Sequence, residues 1–414
     1  MKKNRNSKLS IVLKILSSIK ELVCMCISLL IITELKMKTI IVIGILLYLP
    51  SIIVSILRWF ANTFYLDDNM FCYKTGVFIR KENKIPLDSI LAIDLEENLK
   101  YRIFGLKKVK IDVGATDNIK DIEISLRHKP AVQLRNELLG KNIETTDNEE
   151  DIIYILDLKS LFLFAATRNK LADLIVISIG LIVFTYQFNI NSLLTNLGSP
   201  LVIFLVVISS FLVIKIITVL ITMNKYYNYK IKMQDNLLEI TCGFVERKVY
   251  SLDVEKVFAV KTTQNILQRV NNKATISVSA LGYQDNDSEE AVVFPYIDNN
   301  ELYDILKTIF PKFIYKNKLY DINKKYKLRY KKYLFGYSDE VLYLCGGILN
   351  KRTNTILIDS VDEVCYKQGC LQRKYNTYNL TLGYRGKKLG DLARIKGVDK
   401  EHIENISEKV LVNE

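Results

Sequence analysis

Three glycines, Gly76, Gly243 and Gly347, sit in the same long frame of apolar residues. Five and three residues before each glycine stand Phe71 and Tyr73, Leu238 and Ile240, and Leu342 and Leu344. One and two after stand Val77 and Phe78, Phe244 and Val245, and Ile348 and Leu349. At nine, fourteen and seventeen after come Ile85, Ile90 and Ile93; Leu252, Val257 and Val260; and Ile356, Val361 and Val364. Twenty-six after is an arginine each time: Arg102, Arg269 and Arg373. Thirty-three and thirty-five after are Val109 and Ile111, Ile276 and Val278, and Leu380 and Leu382. No gap is needed across that stretch, so one unit is written three times, and repetition governs every later assignment.

Alternation within the unit predicts strands: Phe71 and Tyr73 flank Cys72, and Val109, Ile111 and Val113 interleave with Lys108, Lys110 and Asp112. The anchoring glycine belongs at a strand turn, where positive φ or close approach needs no side chain. Each unit closes on a helical pattern: Ala131, Leu134 and Leu138; Leu302, Ile305, Leu306 and Ile309; Ile403, Ile406 and Val410. Strands followed by one amphipathic helix predict a small antiparallel barrel or sandwich plugged by that helix.

Between the units lie stretches of a different kind. Thr39 to Leu57 carries no charge over nineteen residues, close to the twenty that cross a bilayer core. Leu174 onward stays uncharged through Ile214 and is broken by Gly198-Ser199-Pro200. We read two hairpins, with spans near 20–36 and 39–57 and near 174–190 and 200–222. Leu9 to Ile19 is an amphipathic lead-in to the first span. Lys and Arg gather on one side: Lys2, Lys3, Arg5, Lys8 and Lys14, then Arg58, Arg168, Lys170, Lys225, Lys230 and Lys232. The loop 189–199 has none, so both termini and all three units are placed in the cytoplasm. The order is hairpin 1–60, unit 61–150, lead-in and hairpin 151–224, unit 225–312, linker 313–333 and unit 334–414.

Composition agrees. A formal net charge of +13 beside 49% hydrophobic residues suits a membrane protein whose polar parts face an anionic leaflet. Seven scattered cysteines with no C-x-x-C pair, and only His128 and His402, offer no metal-ligand spacing. No phosphate-cradling glycine loop, no G-x-S-x-G and no acid–His–nucleophile cluster is present. The reading is therefore non-enzymatic, with no cofactor and no metal.

In the first unit Tyr73-Lys74-Thr75-Gly76, Ile85-Pro86-Leu87-Asp88-Ser89-Ile90 and Arg102-Ile103-Phe104-Gly105-Leu106 follow one another in order. Leu156-Asp157-Leu158-Lys159-Ser160-Leu161 precedes the second hairpin. In these motifs and their order the chain resembles the bacterial pleckstrin-homology-like membrane proteins of the YdbS/YdbT type. The second and third units keep Arg269 and Arg373 but read Val270-Asn271-Asn272 and Lys374-Tyr375-Asn376 where the first has Ile-Phe-Gly. The resemblance implies a multi-pass protein of the bacterial inner membrane, with two helical hairpins and three PH-like antiparallel barrels, each closed by a C-terminal helix. It implies a non-catalytic scaffold or interaction role, in a setting such as envelope stress or bacteriocin resistance. Exposed barrel edges would accept an added strand from a partner, for which a smaller related PH-like membrane protein is one candidate. A component of a peptide-export system is the alternative, and it requires polar residues inside the spans.

Two basic groups are candidate contacts for lipid headgroups or a partner. One is Arg102 with Lys107, Lys108 and Lys110, together with the repeated Arg269 and Arg373. The repeated arginine reads two ways: a guanidinium bonding carbonyls or a carboxylate at a strand start, or a phosphate or acidic-peptide contact. The other is the linker with Lys324, Lys325, Arg329, Lys331 and Lys332, where interleaved tyrosines suit an anionic inner leaflet better than nucleic acid.

Overall fold

The computed structural model describes residues 4–32, 37–113, 122–140, 151–168, 200–280, 291–321, 334–347, 350–384 and 394–412. The expected span 174–190 and the linker residues Lys324, Lys325, Arg329, Lys331 and Lys332 lie outside them.

Each repeat has the same element order. The first runs β1 (Thr63–Asp67), β2 (Met70–Thr75), β3 (Lys81–Pro86), a 3-10 turn, β4 (Ala92–Glu97), α3 (Leu99–Ile103), β5 (Leu106–Asp112), β6 (Ile122–Arg127) and α4 (His128–Leu139). The second runs β8 (Lys230–Gln234), β9 (Leu237–Cys242), β10 (Arg247–Asp253), β11 (Val257–Gln264), α7 (Ile266–Val270), β12 (Lys273–Ala280), β13 (Ala291–Asp298) and α8 (Leu302–Ile309). The third runs β15 (Leu334–Tyr337), β16 (Val341–Gly346), β17 (Lys351–Leu357), β18 (Val361–Lys367), α9 (Cys370–Lys374), β19 (Thr377–Tyr384), β20 (Arg394–Asp399) and α10 (Lys400–Val412). Two short strands, β7 (Ile152–Ile155) and β14 (Tyr320–Asp321), precede the second and third repeats.

The local causes are legible. The three glycines hold φ of 101°, 104° and 98°, and a Cβ on each would stand 1.8–1.9 Å from a carbonyl oxygen of the same turn. Only glycine fits. Twenty-nine residues after each glycine the chain again turns left-handed, at Gly105, Asn272 and Asn376. Asparagine tolerates that conformation, so the second and third repeats lose Phe-Gly and keep the turn. Asn98 and Asn265 cap α3 and α7 through the backbone N–H of Tyr101 and Gln268, at 3.2 and 2.9 Å.

The strands do not close into barrels, contrary to expectation. They form open sheets, in the orders β1-β2-β3, β6-β5-β4-β10-β9-β8-β7, β13-β12-β11-β17-β16-β15-β14 and β18-β19-β20. The reason is an edge already in use. The fourth strand of one repeat is hydrogen-bonded to the third strand of the next, so it cannot close on its own repeat. By its contacts the chain forms two compact units, Met1–Ile152 with Lys232–Asp253, and Ile153–Ile231 with Val254–Glu414. In the first, Phe64, Phe71 and Ile85 of the small sheet share a core with Ile93, Val109, Ile124 and α4 residues Ala131, Leu134 and Leu138. In the second, Leu342, Ile356, Leu380, Leu382 and α10 residues Ile403, Ile406 and Val410 do the same. Apart from Phe64 and Ile124, these are apolar positions of the repeat frame and its closing helices.

The leading segment is helical. The expected lead-in and the described part of the segment expected as the first span form one continuous helix, α1 (Leu9–Ile32), rather than two segments. It is followed by α2 (Met37–Ala61). Tyr48 Oη donates to the Ile15 carbonyl at 2.5 Å and Trp59 Nε1 to the Asn6 carbonyl at 2.9 Å. Within α2, Val42–Ala61 is long and apolar enough to cross a membrane, and it alone meets that measure among the described residues. α5 (Leu158–Arg168) and α6 (Pro200–Lys225) precede the second repeat. Lys215 of α6 donates to the Ala166 carbonyl at 2.8 Å.

Candidate functional site

The first seam between repeats holds a buried ionic network and the second holds a cleft. In the first, β10 runs antiparallel to β4, with Arg247 opposite Glu97, Lys248 opposite Glu96 and Val249 opposite Leu95. In the second, β17 runs antiparallel to β11 over six rows, from Lys351 opposite Gln264 to Ile356 opposite Ala259. The register is the same. A residue four after its own glycine faces a residue twenty-one after the preceding glycine.

The first seam stops pairing after three rows, and side chains take over. The next rows would bring Ser251 opposite Ile93. Instead the Ser251 hydroxyl donates to the Ile93 carbonyl at 3.0 Å. Arg135 of α4, 2% exposed, donates to that hydroxyl through Nε and Nη2 at 3.1 and 2.7 Å. Its Nη2 also lies 2.7 Å from Glu239 Oε2. Beside this network Asp94 has a buried carboxyl oxygen without a partner. Burial, then the neighbouring Glu96 charge, pushes the Asp94 carboxyl up to about 7, against the pull of Lys110, the Ser251 backbone N–H and Arg135.

The second seam has no such arginine. Leu306 of α8 occupies the place of Arg135, Thr355 that of Ser251 and Tyr343 that of Glu239. These three line a cleft of 230 Å³ with Val260, Lys351 and Tyr315 among its other walls. Tyr315 stacks on Tyr343 at 5.3 Å and 18°, crossing Gly336, where a Cβ would fall 2.3 Å from its hydroxyl. The cleft is lined by no carboxylate, histidine or cysteine. Such a lining can hold a small apolar or aromatic group but supplies no general acid–base pair. Among the described residues no group of His, Cys, Asp and Glu could hold a metal.

The arginines of the repeat frame end the short helices α3, α7 and α9. Arg102 donates from Nη2 to the carbonyls of Phe244 and Val245, at 3.1 and 3.4 Å, in the glycine turn of the following repeat. In the first repeat the arginine thus bonds carbonyls across a seam. Arg269 and Arg373 are exposed. On β5, Lys108 is ion-paired to Glu123 at 2.6 Å and to Glu96 at 3.7 Å. Lys107 is half-buried, and burial lowers its pKa. Lys110 stands opposite Asp94.

Sequence reasoning missed Arg135, Ser251 and Asp94. The available signal was Arg135 itself, a charge on the helix face of Ala131, Leu134 and Leu138.

An apolar rim surrounds the glycine turns of the first unit. Phe78 is 95% and Ile79 76% exposed, and Ile103, Leu99 and Phe244 are exposed as well. α2 ends at Ala61, and Thr63 pairs with Lys74, so the Gly76 turn lies beside the end of that helix.

The Bacterial PH domain family matches residues 19–142, 172–312 and 326–412. The UPF0699 transmembrane protein YdbT of Bacillus subtilis (strain 168) is 23% identical over 295 residues, covering 64% of this chain and 60% of its own length. The chain thus spans less than two thirds of that relative. No solved structure matches. Three successive matches, falling on three copies of one strand-and-helix order, place this chain in the Bacterial PH domain family.

Proposed function

We propose that this chain is a non-catalytic scaffold of the bacterial inner membrane, which presents cytoplasmic PH-like repeats to a protein partner by strand addition. One observation carries the reading: the repeats are joined to each other by backbone edges in a single register, and β3 and β18 remain edge strands among the described residues. Edge strands add partners through main-chain hydrogen bonds. The seam chemistry supports binding rather than turnover, because its ionised groups bridge strands and the cleft has no catalytic pair.

Membrane attachment is supported by α2 and by the name of the relative. The Lys and Arg distribution supports two hairpins with both termini cytoplasmic. The exposed rim of Phe78 and Ile79, flanked by Lys74, Arg80 and Lys81, suits an interface of lipid tails below and anionic headgroups above. The basic linker with Lys324, Lys325, Arg329, Lys331 and Lys332 suits the same leaflet. Envelope stress or bacteriocin resistance is the setting that the family resemblance supplies.

The test is capture of the tagged full chain from detergent-solubilised membranes. A stoichiometric protein partner is expected, with the chain resisting alkaline extraction of the membrane. A chain that washes off, or that emerges from gentle solubilisation with no partner of any kind, ends the reading.

A further inference from the structure

The two seams follow one rule, and the same rule fits two strands that have no seam. β3 is the outer strand of β1-β2-β3, and by its distance from Gly76 it corresponds to β10 and β17. β18 is the outer strand of β18-β19-β20, and by its distance from Gly347 it corresponds to β4 and β11. The chain therefore carries both halves of a seam on different repeats. We propose that they meet between two copies of the chain, β3 of one copy lying antiparallel along β18 of another. The proposal rests on the scaffold reading only in treating these edges as docking surfaces.

The register is fixed by the existing seams. Arg80 falls opposite Gln368, Glu82 opposite Tyr366 and Asn83 opposite Cys365, as Asn354 falls opposite Lys261 within the chain. The arginine device extends in the same way. Arg102 bonds the two carbonyls after Gly243, and Arg373 is its exposed counterpart beside β18. The acceptors for Arg373 are the carbonyls of Val77 and Phe78, in a turn with the same glycine geometry as that at Gly243. A second copy is the occupant because it brings strand, turn and carbonyls together. The interface joins unlike surfaces, so copies add head to tail. It is the weakest of the three seams, since Lys81 faces Lys367 where the first seam sets Lys248 against Glu96. Confinement of both copies to one membrane raises their effective concentration and offsets that repulsion.

Cross-linking of the full chain in native membranes tests this. Asn83→Cys should form an intermolecular disulfide with the native Cys365 under mild oxidation, giving dimers and a ladder on non-reducing gels. Cys365→Ser should abolish them. Lys84→Cys, one residue out of register and on the other face, should give little product when it is made with Cys72→Ala, which removes the thiol opposite it on β2. On the Cys365→Ser background, Glu82→Cys combined with Tyr366→Cys should restore the dimer, so the outcome does not hang on one variant. Adding Lys81→Glu should raise the yield about threefold. Equal product from Asn83→Cys and Lys84→Cys overturns the proposal. So does a disulfide confined to one chain, or a dimer insensitive to Cys365→Ser. If those results come while the tagged chain still captures a different protein, the scaffold reading stands and this one falls.

Discussion

In the first seam a guanidinium fills the space behind the paired strands, whereas in the second that space holds a leucine beside an open cleft. The difference follows pairing length. β4 and β10 share three rows, and the carbonyl that the ladder leaves behind at Ile93 is taken by Ser251, itself held by Arg135. β11 and β17 share six rows, and the backbone satisfies itself. A short ladder needs side chains to meet its buried polar groups, and a long one does not. The ionic network therefore reports where the backbone ladder stops.

That contrast can be broken most severely at Arg135. Arg135→Ala leaves Glu239 and Ser251 without their donor and should destabilise the first seam by about 3 kcal/mol. Hydrogen exchange of the β10 amides should rise, while that of the β17 amides should not. Converting the whole constellation, Arg135→Leu with Ser251→Thr and Glu239→Tyr, should recover most of the loss, because replacing all partners of a buried ion pair is often close to neutral. The converse change, Leu306→Arg, places a charge where Tyr343 and Thr355 offer no carboxylate and should cost about 2 kcal/mol at β17. Arg102→Ala removes two bonds to turn carbonyls and should cost about 1 kcal/mol, read as faster exchange in the Gly243 turn.

Asp94 gives the first seam a pH response that the second, with Lys261 at that position, should lack. Its pKa is raised by burial and Glu96, so the folded state binds a proton more readily than the unfolded chain. Its contribution is complete below the ordinary carboxylate range and fades as pH rises through about 7. Thermal melts of the full chain in detergent should therefore rise between pH 7 and pH 5, and Asp94→Asn should flatten that slope. The smallest effect belongs to Lys248→Ala, which removes a 3.4 Å contact with Glu96 while Lys108 also lies near that carboxylate. A change under about 0.5 kcal/mol is expected.

The sequence made the repeat legible because its determinants are local. Positive φ demands glycine at Gly76, Gly243 and Gly347, and strand alternation marks the buried face, so the strand and helix positions of the apolar frame form the core, while Phe78 and Phe244 beside the glycines stay exposed. The arginine twenty-six residues on was also visible, and for Arg102 the structural half of its two-way reading, a guanidinium on carbonyls, is what the fold contains. What stayed hidden was which strand lies beside which. Alternation tells the inward face of a strand but not its neighbour, so the sequence suggested barrels where edges are shared between repeats. Where the first repeat has Gly105 the others have Asn272 and Asn376, and the left-handed turn is kept.

The repeated unit, its three positions, its glycine turns and the inward faces of its strands follow from backbone sterics and from hydrophobic spacing along a short stretch of chain. That β4 meets β10 and β11 meets β17, that Arg135 lies behind a broken ladder, and that β3 and β18 are left as edges among the described residues emerges only in the fold. Backbone hydrogen bonds between distant segments use the same N–H and C=O groups at every residue, so the chain spells out no code for them until it has folded.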